Sequence, residues 1–283
     1  MSLATLIPLQ RLCKLAKVSR AGFYRWQNAP AQADADMELR DAIQQVALDW
    51  PCYGWRRVTA ELRHQGWTVN HKRVRRLMRE DNLLCLRRRK FVVTTNSNHD
   101  RPKYNNLAAD LVLTRINQLW VADITYIRLE SEFVYLAVVL DAYSRRVIGW
   151  ALERTLEDDL AIAALRMALE SRSPAPGLVH HSDRGVQYAS QDYTDLLRQQ
   201  HCHISMRGKA SPWDNATCES FMKTLKYEEV YRQEYRDLAE VRRSIQRFLE
   251  KVYNQKRLHS ALGYRPPVEF ERSLPLPSQQ VAV

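Results

Sequence analysis

The chain has 283 residues, of which 45% are hydrophobic, so it can form two domains with a substantial core and is not a disordered tail. No apolar run approaches the roughly 20 residues that span a bilayer, and the N-terminus lacks the basic and then apolar pattern of a secretory signal. We therefore expect a cytoplasmic protein without a membrane partner. The five cysteines are scattered and show no CxxC spacing, which argues against a disulfide framework or a structural zinc site.

The positive charge is concentrated in the first third of the chain. Residues 1–105 contain 20 Lys and Arg against 9 Asp and Glu, whereas residues 106–283 contain 23 of each. The net charge of +11 therefore comes entirely from the N-terminal third. A concentrated basic region suits a polyanion such as nucleic acid, and the alternative is a basic surface that faces only solvent.

The first predicted elements are two short helices, Leu9–Ala16 and Arg20–Gln27. Ser19 is a favourable N-cap for the second helix, and residues 1–30 have the proportions of a helix-turn-helix. A proline and alanine stretch over residues 28–35 ends the segment. The candidate DNA contacts in the second helix are Arg20 and Arg25.

A second helix-turn-helix-like unit is predicted over residues 36–85. Its helices are Asp36–Asp49, Trp55–Gln65 and His71–Glu80. Any small helical bundle gives a similar pattern, so it indicates DNA binding only together with the charge. The last helix carries basic residues opposite its apolar face, and the candidate DNA contacts there are Arg73, Arg76 and Arg79.

A basic linker without helical period covers residues 86–105, and the pattern then changes to strands alternating with helices. The predicted strands are Leu119–Ile127, Phe133–Leu140, Val147–Leu152, Gly177–His181 and His203–Met206. The predicted helices are Glu157–Ser171, Gln191–Gln200, Thr217–Val230 and Ala239–Tyr253. This order predicts an α/β domain with a mixed sheet over residues 106–272, followed by a frayed tail over residues 273–283.

Three acidic residues occupy positions that this topology can bring together. Asp123 lies within an apolar strand, where an ionised carboxylate is costly unless it is paired or bound to a metal ion. Asp183 follows the fourth strand, at the carboxyl end where open α/β sheets place their sites. Glu219 lies near the start of the helix after the fifth strand.

The helix of Glu219 has one polar and one apolar face. Lys223 and Lys226 share the face of Glu219, whereas Phe221 and Leu225 project towards the sheet. For this helix alone, a surface salt bridge between Glu219 and Lys223 is the simpler interpretation. Three carboxylates on separate elements can also hold the divalent ions that phosphoryl transfer needs, and the two lysines could then contact DNA phosphates.

Four ordered motifs accompany these residues. They read Trp120-x-x-Asp123-Ile124-Thr125-Tyr126-Ile127, His181-Ser182-Asp183-Arg184-Gly185-x-Gln187-Tyr188, Asp214-Asn215-Ala216-x-x-Glu219-Ser220-Phe221-x-x-x-Leu225-Lys226 and Tyr253-Asn254-x-x-Arg257-x-His259-x-x-Leu262. Two N-terminal segments join them, Ser19-Arg20-x-x-Phe23-Tyr24 and Tyr53-Gly54-x-Arg56-Arg57. Over nearly the whole chain the pattern resembles the second-frame protein (OrfB) of insertion-sequence-three family transposases, whose catalytic core is of the retroviral-integrase type.

The resemblance implies a ribonuclease-H-like catalytic core that cleaves DNA strands and transfers them to a target. The implied catalytic and metal-binding residues are Asp123, Asp183 and Glu219. The first would bridge two Mg²⁺ ions, for which Mn²⁺ can substitute, and the other two would each bind one. Lys226 matches a basic residue of the family that contacts DNA, and Arg184 is a further candidate contact. His181 and the Tyr253–Leu262 motif are as well or better explained by structural roles.

The resemblance also implies partners. These are the element ends and target DNA, further copies of the chain assembled on DNA, and an upstream-frame protein or a frameshifted fusion with it. The location would be the bacterial cytoplasm, at the nucleoid when DNA is bound. One alternative is an inactive or partner-dependent DNA-binding protein of the same fold, against which the intact triad argues. Another is a purely hydrolytic nuclease, against which the helix-turn-helix region argues.

Overall fold

The computed structural model describes residues 8–27, 36–83, 104–207 and 216–275. The predicted stretch over residues 28–35, most of the basic linker, the motif residues Asp214 and Asn215 and most of the tail lie outside this part. No helix within the described ranges is both long and apolar enough to cross a membrane.

Five helices lie within the described residues of the N-terminal third, and they match the predicted ones to within one residue at either end. They are α1 (Leu9–Leu15), α2 (Arg20–Gln27), α3 (Met37–Asp49), α4 (Trp55–His64) and α5 (His71–Glu80). Ser19 caps α2, because its Oγ accepts a hydrogen bond from the Gly22 N–H at 3.0 Å. Asn70 caps α5 in the same way, through the Lys72 N–H at 2.8 Å.

Helices α3, α4 and α5 share a hydrophobic core that extends beyond the helical unit itself. Ile43, Val58 and Leu77 are fully buried in it, together with Leu258 from the C-terminal part of the chain. The Leu258 N–H also donates a hydrogen bond to the Tyr53 hydroxyl at 2.8 Å. The helical unit therefore packs directly on the C-terminal segment.

A mixed five-stranded sheet forms the centre of the second domain, in the order β3-β2-β1-β4-β5. The strands are β1 (Leu119–Arg128), β2 (Phe133–Asp141), β3 (Val147–Glu153), β4 (Val179–Ser182) and β5 (His203–Met206). The first three strands pair antiparallel, whereas β4 runs parallel to both β1 and β5. The predicted fold class, a ribonuclease-H-like α/β core after an all-α region, is confirmed.

Helices cover both faces of this sheet. On one face, α6 (Asp158–Arg172) and α7 (Gln191–Gln199) pack against the side of β1 that carries Trp120 and Ala122. On the other face, α8 (Ala216–Glu228) and α9 (Leu238–Arg247) pack against the side that carries Val121. Because side chains alternate along a strand, Asp123 projects towards the α8 face.

The C-terminal helices differ from the prediction of one helix over Ala239–Tyr253. Helix α9 ends at Arg247, and the chain continues as a π-helical turn, Phe248–Tyr253. The Asn254 side chain then bonds both the N–H and the C=O of Val147 in β3, at 3.0 and 2.9 Å. Asn254 directly follows this wider turn. Its contact with β3 depends on tertiary packing, which the helical periodicity of the sequence cannot predict. A final helix, α10 (Pro267–Arg272), was not predicted.

Gly149 in β3 is a position where α6 approaches the sheet backbone closely. A Cβ atom built there would lie 2.2 Å from the Ala164 carbonyl oxygen and 2.8 Å from the Ala168 nitrogen. Both are backbone atoms of α6, so only a shift of the whole helix could make room.

We predict that Gly149→Ala destabilises the fold by about 3 kcal/mol, the upper end of the range for overpacked sites. Urea unfolding followed by circular dichroism measures this change. Gly54→Ala is the matched control, because a Cβ there meets nothing within 4 Å, and its effect should stay within about 1 kcal/mol. Equal stability of the two variants would show that α6 does not pack against β3 as described.

Candidate active site

Asp123 and Asp183 are brought together by the parallel pairing of β1 with β4. Val121 lies opposite His181 in this register, and each aspartate follows its paired residue by two positions. The register therefore brings Asp183 close to Asp123, since neighbouring strands lie about 4.8 Å apart, and the charge of Asp183 acts on Asp123. The predicted positions, mid-strand in the central strand and just beyond the end of its neighbour, match the structure.

The loop after β4 fixes the Asp183 side chain. Its Oδ1 accepts a hydrogen bond from the Gly185 N–H at 2.9 Å. A Cβ atom at position 185 would lie 2.9 Å from the same Oδ1, closer than real Cβ contacts come. Glycine at this position therefore lets the backbone approach the carboxylate.

The electrostatic environment of Asp123 is unfavourable for its charged form. Burial, followed by repulsion from Asp183 and then from Glu219, raises the pKa of Asp123 to about 7. The Ile124 N–H donates to its Oδ1 at 3.0 Å and opposes this shift, as does the more distant Arg207. Asp123 thus lies in an environment that disfavours its charged form, and a bound cation would relieve this effect.

Glu219 lies on α8, whose apolar side chains Phe221 and Leu225 are buried against the sheet as predicted. Its own side chain is 44% exposed and forms an ion pair with Arg207 at 3.5 Å. The predicted alternative partner, Lys223, forms no ion pair with it among the residues described. The described ranges also contain no group of three His, Cys, Asp or Glu side chains arranged to hold a metal ion.

Lys226 borders the same site and is half-buried. Its Nζ lies 4.8 Å from the centroid of the Tyr126 ring, a cation–π distance. Burial lowers the pKa of Lys226, and the attraction of Asp123 opposes that shift. Lys223, one turn earlier, is exposed.

A cleft of about 190 Å³ lies beside Asp183, with Tyr126, Gly185 and Tyr188 in its wall. The Tyr188 hydroxyl is buried and has no hydrogen-bond partner among the described residues. Burial, together with the negative charges of Asp123 and Asp183, holds the pKa of Tyr188 well above its ordinary value. Sequence reasoning placed Tyr188 within a motif without assigning it a role, and it missed Arg207, which no motif marks.

His181 and Arg184 flank Asp183. His181 is fully buried, and its Nδ1 lies 2.8 Å from the Ser205 hydroxyl in β5. This contact agrees with a structural role for the histidine. Arg184 is half-buried at the same end of the sheet.

The predicted basic residues of the N-terminal helices differ in their surroundings. Arg20 and Arg25 are exposed on α2. On α5, Arg73 and Arg76 both form ion pairs with Asp36, the latter at 2.7 Å. Arg79 is exposed and forms no ion pair within the described part of the chain.

Comparison with known proteins identifies two kinds of domain. The family model described as "Integrase core domain" matches residues 114–212, and a second model of that description matches residues 200–267. The model described as "HTH-like domain" matches residues 34–91.

Similar proteins of known sequence cover almost the whole chain. The insertion element IS600 uncharacterized 31 kDa protein of Shigella sonnei is 38% identical over 264 residues, which is 92% of this chain and 97% of that protein. The transposase InsF for insertion sequence IS3A of Escherichia coli K12 is 34% identical over 269 residues, 93% of each chain.

Solved structures that resemble this chain include a simian T-cell lymphotropic virus intasome in complex with PP2A regulatory subunit B56 gamma. It has a TM-score of 0.47 and 16% identity, over 85% of this chain and 79% of that one. The HTLV-2 integrase catalytic core domain has a TM-score of 0.43 and 17% identity, over 55% and 97%. From its relatives at 34–38% identity and its two matched domains, the chain belongs to the insertion-sequence-three (IS3) family of transposases, with an integrase core that follows an HTH-like domain.

Proposed function

We propose that this transposase cleaves DNA strands and joins the cut ends to target DNA by metal-dependent DDE chemistry, with Asp123, Asp183 and Glu219 as the acidic triad. The observation that carries the proposal is the parallel register of β1 with β4, which brings Asp123 close to Asp183; the raised pKa of Asp123 agrees with it. Carboxylates held close together within a fold repel one another and reduce its stability. Such unfavourable electrostatic energy is typical of sites that bind a cation or perform catalysis.

The residues present fit Mg²⁺ or Mn²⁺, because carboxylate oxygens are the hard ligands that these ions prefer. We propose two ions, held by Asp123 and Asp183 with Glu219 as the third ligand. When bound, such ions stabilise the attacking and the leaving oxygen of an in-line displacement. Glu219 would exchange its exposed ion pair with Arg207 for this role, which fits its position on a helix whose other face is fixed in the core.

The chain's own side chains would position the DNA. Lys223 and Lys226 on α8, and Arg184 beside Asp183, are the proposed phosphate contacts near the reacting bond. Lys226 needs little reorganisation for this role, because the Tyr126 ring already orients its ammonium group. The proposed partners are the element ends, target DNA, further copies of the chain and the upstream-frame protein, free or fused.

The N-terminal helices would recognise the element ends, and α5 offers two kinds of cation for this purpose. Arg73 and Arg76 are already paired with Asp36. Lys72, Arg75 and Arg79 are exposed and form no ion pair with any described residue. DNA phosphates are therefore better contacted by the second set, whose charge is not neutralised within the protein.

The first prediction tests the triad. Asp123→Asn, Asp183→Asn and Glu219→Gln should each reduce joining of a cut 3′ end to target DNA by at least about 1,000-fold, equivalent to roughly 4 kcal/mol. A gel assay with the element's terminal repeat, in Mg²⁺ and in Mn²⁺, measures this. Asp192→Asn on α7, an exposed carboxylate on the opposite face of the sheet, is the control and should keep wild-type activity. Near-normal joining by any triad variant would remove that residue from the assignment.

The second prediction concerns pH and metal without activity as the readout. The folded pKa of Asp123, about 7, lies above its ordinary value of 3.8. Without metal, its contribution should therefore reduce stability as pH rises from about 4 to about 7. Relative to that of Asp123→Asn, the free energy of unfolding of the wild type should fall by roughly 2 kcal/mol between pH 5 and pH 8, as measured by urea unfolding in EDTA.

Mg²⁺ at pH 8 should then raise the melting temperature of the wild type, and raise it less in Asp123→Asn. If both proteins respond equally to pH and to Mg²⁺, Asp123 is not a ligand.

The third prediction concerns α5 and is made for the full chain, because the helical unit shares its core with Leu258. Changing Lys72, Arg75 and Arg79 together to Gln should make DNA binding less sensitive to salt. The slope of log binding constant against log salt concentration is negative, and it should become less steep by up to about 2.7, or 0.9 for each phosphate that is no longer neutralised. Fluorescence anisotropy with duplex DNA measures the slope. Changing Arg73 and Arg76 to Gln is the comparison, and it should have the smaller effect per residue. The reverse order would show that Asp36 releases its arginines to DNA.

A further inference from the structure

A cavity of about 180 Å³ lies where the helical unit meets the catalytic core. Helix α4, the turn between β2 and β3, α8 and the Tyr253–Leu262 segment all contribute to its wall. We call it the arginine pocket, after its three cationic side chains. These are Arg57, Arg145 and Arg257, and they are accompanied by Thr217, Ser220, Thr224, His259 and Ser260.

The positive charge of the arginine pocket is only partly neutralised. Arg257 is 4% exposed and bonds both carboxylate oxygens of Glu228, each at 2.7 Å. Arg145 donates to the Thr217 hydroxyl at 2.7 Å, which satisfies a donor but leaves the charge. Two cations, Arg57 and Arg145, therefore remain without a carboxylate partner among the described residues.

Arg57 is the least satisfied of the three. Its guanidinium group lies 5.5 Å from the Tyr53 ring centroid, and no hydrogen bond or ion pair to it occurs within the described ranges. Burial, followed by repulsion from Arg257, lowers its pKa. The attraction of Glu228 opposes this shift, but Glu228 is bonded to Arg257, so among the described residues the half-buried Arg57 has no anion of its own.

His259 adds a second unsatisfied group. It is 8% exposed, and its Nε2 has no hydrogen-bond partner in the part of the chain that is described. Burial and the positive charges of Arg257, Arg57 and Arg145 lower the pKa of His259 to about 3. The other ring nitrogen of His259 donates to the Tyr253 backbone, so Nε2 is a lone-pair acceptor that a donor, and not a phosphate oxygen, would satisfy.

The turn that carries Arg145 is held rigidly. Asp141 at the end of β2 accepts hydrogen bonds from the Tyr143 and Ser144 N–H groups at 2.9 and 3.0 Å. Arg145 itself adopts a φ of 62°, in the left-handed region that L-residues seldom occupy. The chain thus accepts an unfavourable backbone conformation where it presents this arginine to the pocket.

We propose that the arginine pocket binds one backbone phosphate of the DNA on which the transposase acts. The inference rests on the proposed function, and it assigns that function a contact away from the acidic triad. Guanidinium groups match the geometry of phosphate oxygens and can donate two parallel hydrogen bonds to them. The Ser220 and Ser260 hydroxyls in the wall can supply further donors to the same anion.

The position of the pocket supports DNA as the source of this phosphate. Thr217, Ser220 and Thr224 share one face of α8, next to the face that carries Glu219 and Lys223. Arg57 belongs to the helical unit, whereas Arg145 belongs to the core. One phosphate in the pocket would therefore be bound by both domains at once. It would hold the DNA at the junction of the helical unit, which would recognise the element ends, and the core, which carries the acidic triad.

The test measures DNA binding by the full chain in an Asp123→Asn background without metal, so that no chemistry intervenes. The probe is a 30-bp duplex, about three helical turns long, followed by anisotropy over a salt series. Arg57→Gln should lower the slope of log binding constant against log salt by about 0.9, as expected when one phosphate is no longer neutralised. Arg57→Gln combined with Arg145→Gln should lower it no further, because both residues bind the same phosphate. Arg166→Gln on α6, an exposed arginine on the opposite face of the sheet, is the control of equal charge and should leave the slope unchanged.

Thermal melting separates ligand binding from a structural role. Without DNA, Arg57→Gln removes a repulsion and should melt at the same temperature as its parent or higher, and Arg57→Lys should keep most of the slope. An unchanged slope in Arg57→Gln would overturn the proposal, as would two full and independent reductions in the double variant. The proposal would also be overturned if Arg57→Gln reduced both the melting temperature and the slope, and if Arg57→Lys did not restore the slope.

The pocket and the triad can fail separately. In the chain with Asp123 intact, Arg57→Gln should weaken joining most at high salt, where binding is limiting. If the chain showed no metal-dependent joining but Arg57→Gln still reduced the steepness of the salt slope, only the proposed chemistry would be rejected. Normal joining with no slope effect would reject only the pocket.

Discussion

The parallel pairing of β1 with β4 is the interaction on which the site depends. It joins strands separated by 50 residues of chain and aligns Val121 with His181. From that register alone, Asp123 and Asp183 fall side by side, and the alternation of side chains directs Asp123 towards α8. A slip by one residue would turn one carboxylate to the α6 face and separate the pair. The packing of α6 on Gly149 and of α8 through Phe221 holds the sheet in this arrangement.

Bringing the carboxylates together has an electrostatic cost that the rest of the fold must offset. Asp123 is destabilised by burial and by its two acidic neighbours. Few groups compensate it: one backbone N–H, a distant Arg207, and Lys226 over the Tyr126 ring. This unfavourable environment of Asp123 is the electrostatic support for the proposed cation site.

The C-terminal segment connects this core to the N-terminal helices. Asn254 is hydrogen-bonded to Val147 in β3, Arg257 to Glu228 in α8, and the Leu258 N–H to the Tyr53 hydroxyl beside α4. The last of these contacts joins two sequence motifs, Tyr53–Arg57 and Tyr253–Leu262, whose bonded residues lie 205 positions apart. Their meeting also creates the arginine pocket, where part of the cationic charge has no internal partner. A segment that the sequence suggested was only a helix end thus sets the relation between the two domains.

Sequence alone determined the elements and their order, because the change of hydrophobic period from helix to strand is a local property. It also singled out Asp123, since a carboxylate within an apolar strand needs a special reason. The sequence did not predict the ion pairs between different elements, such as those of Glu219 with Arg207 and of Arg73 with Asp36. The π-helical turn before Asn254 and the meeting of Arg57 with Arg145 were equally hidden. Each of these depends on distances between elements, which the sheet register and helix packing decide and no periodicity records.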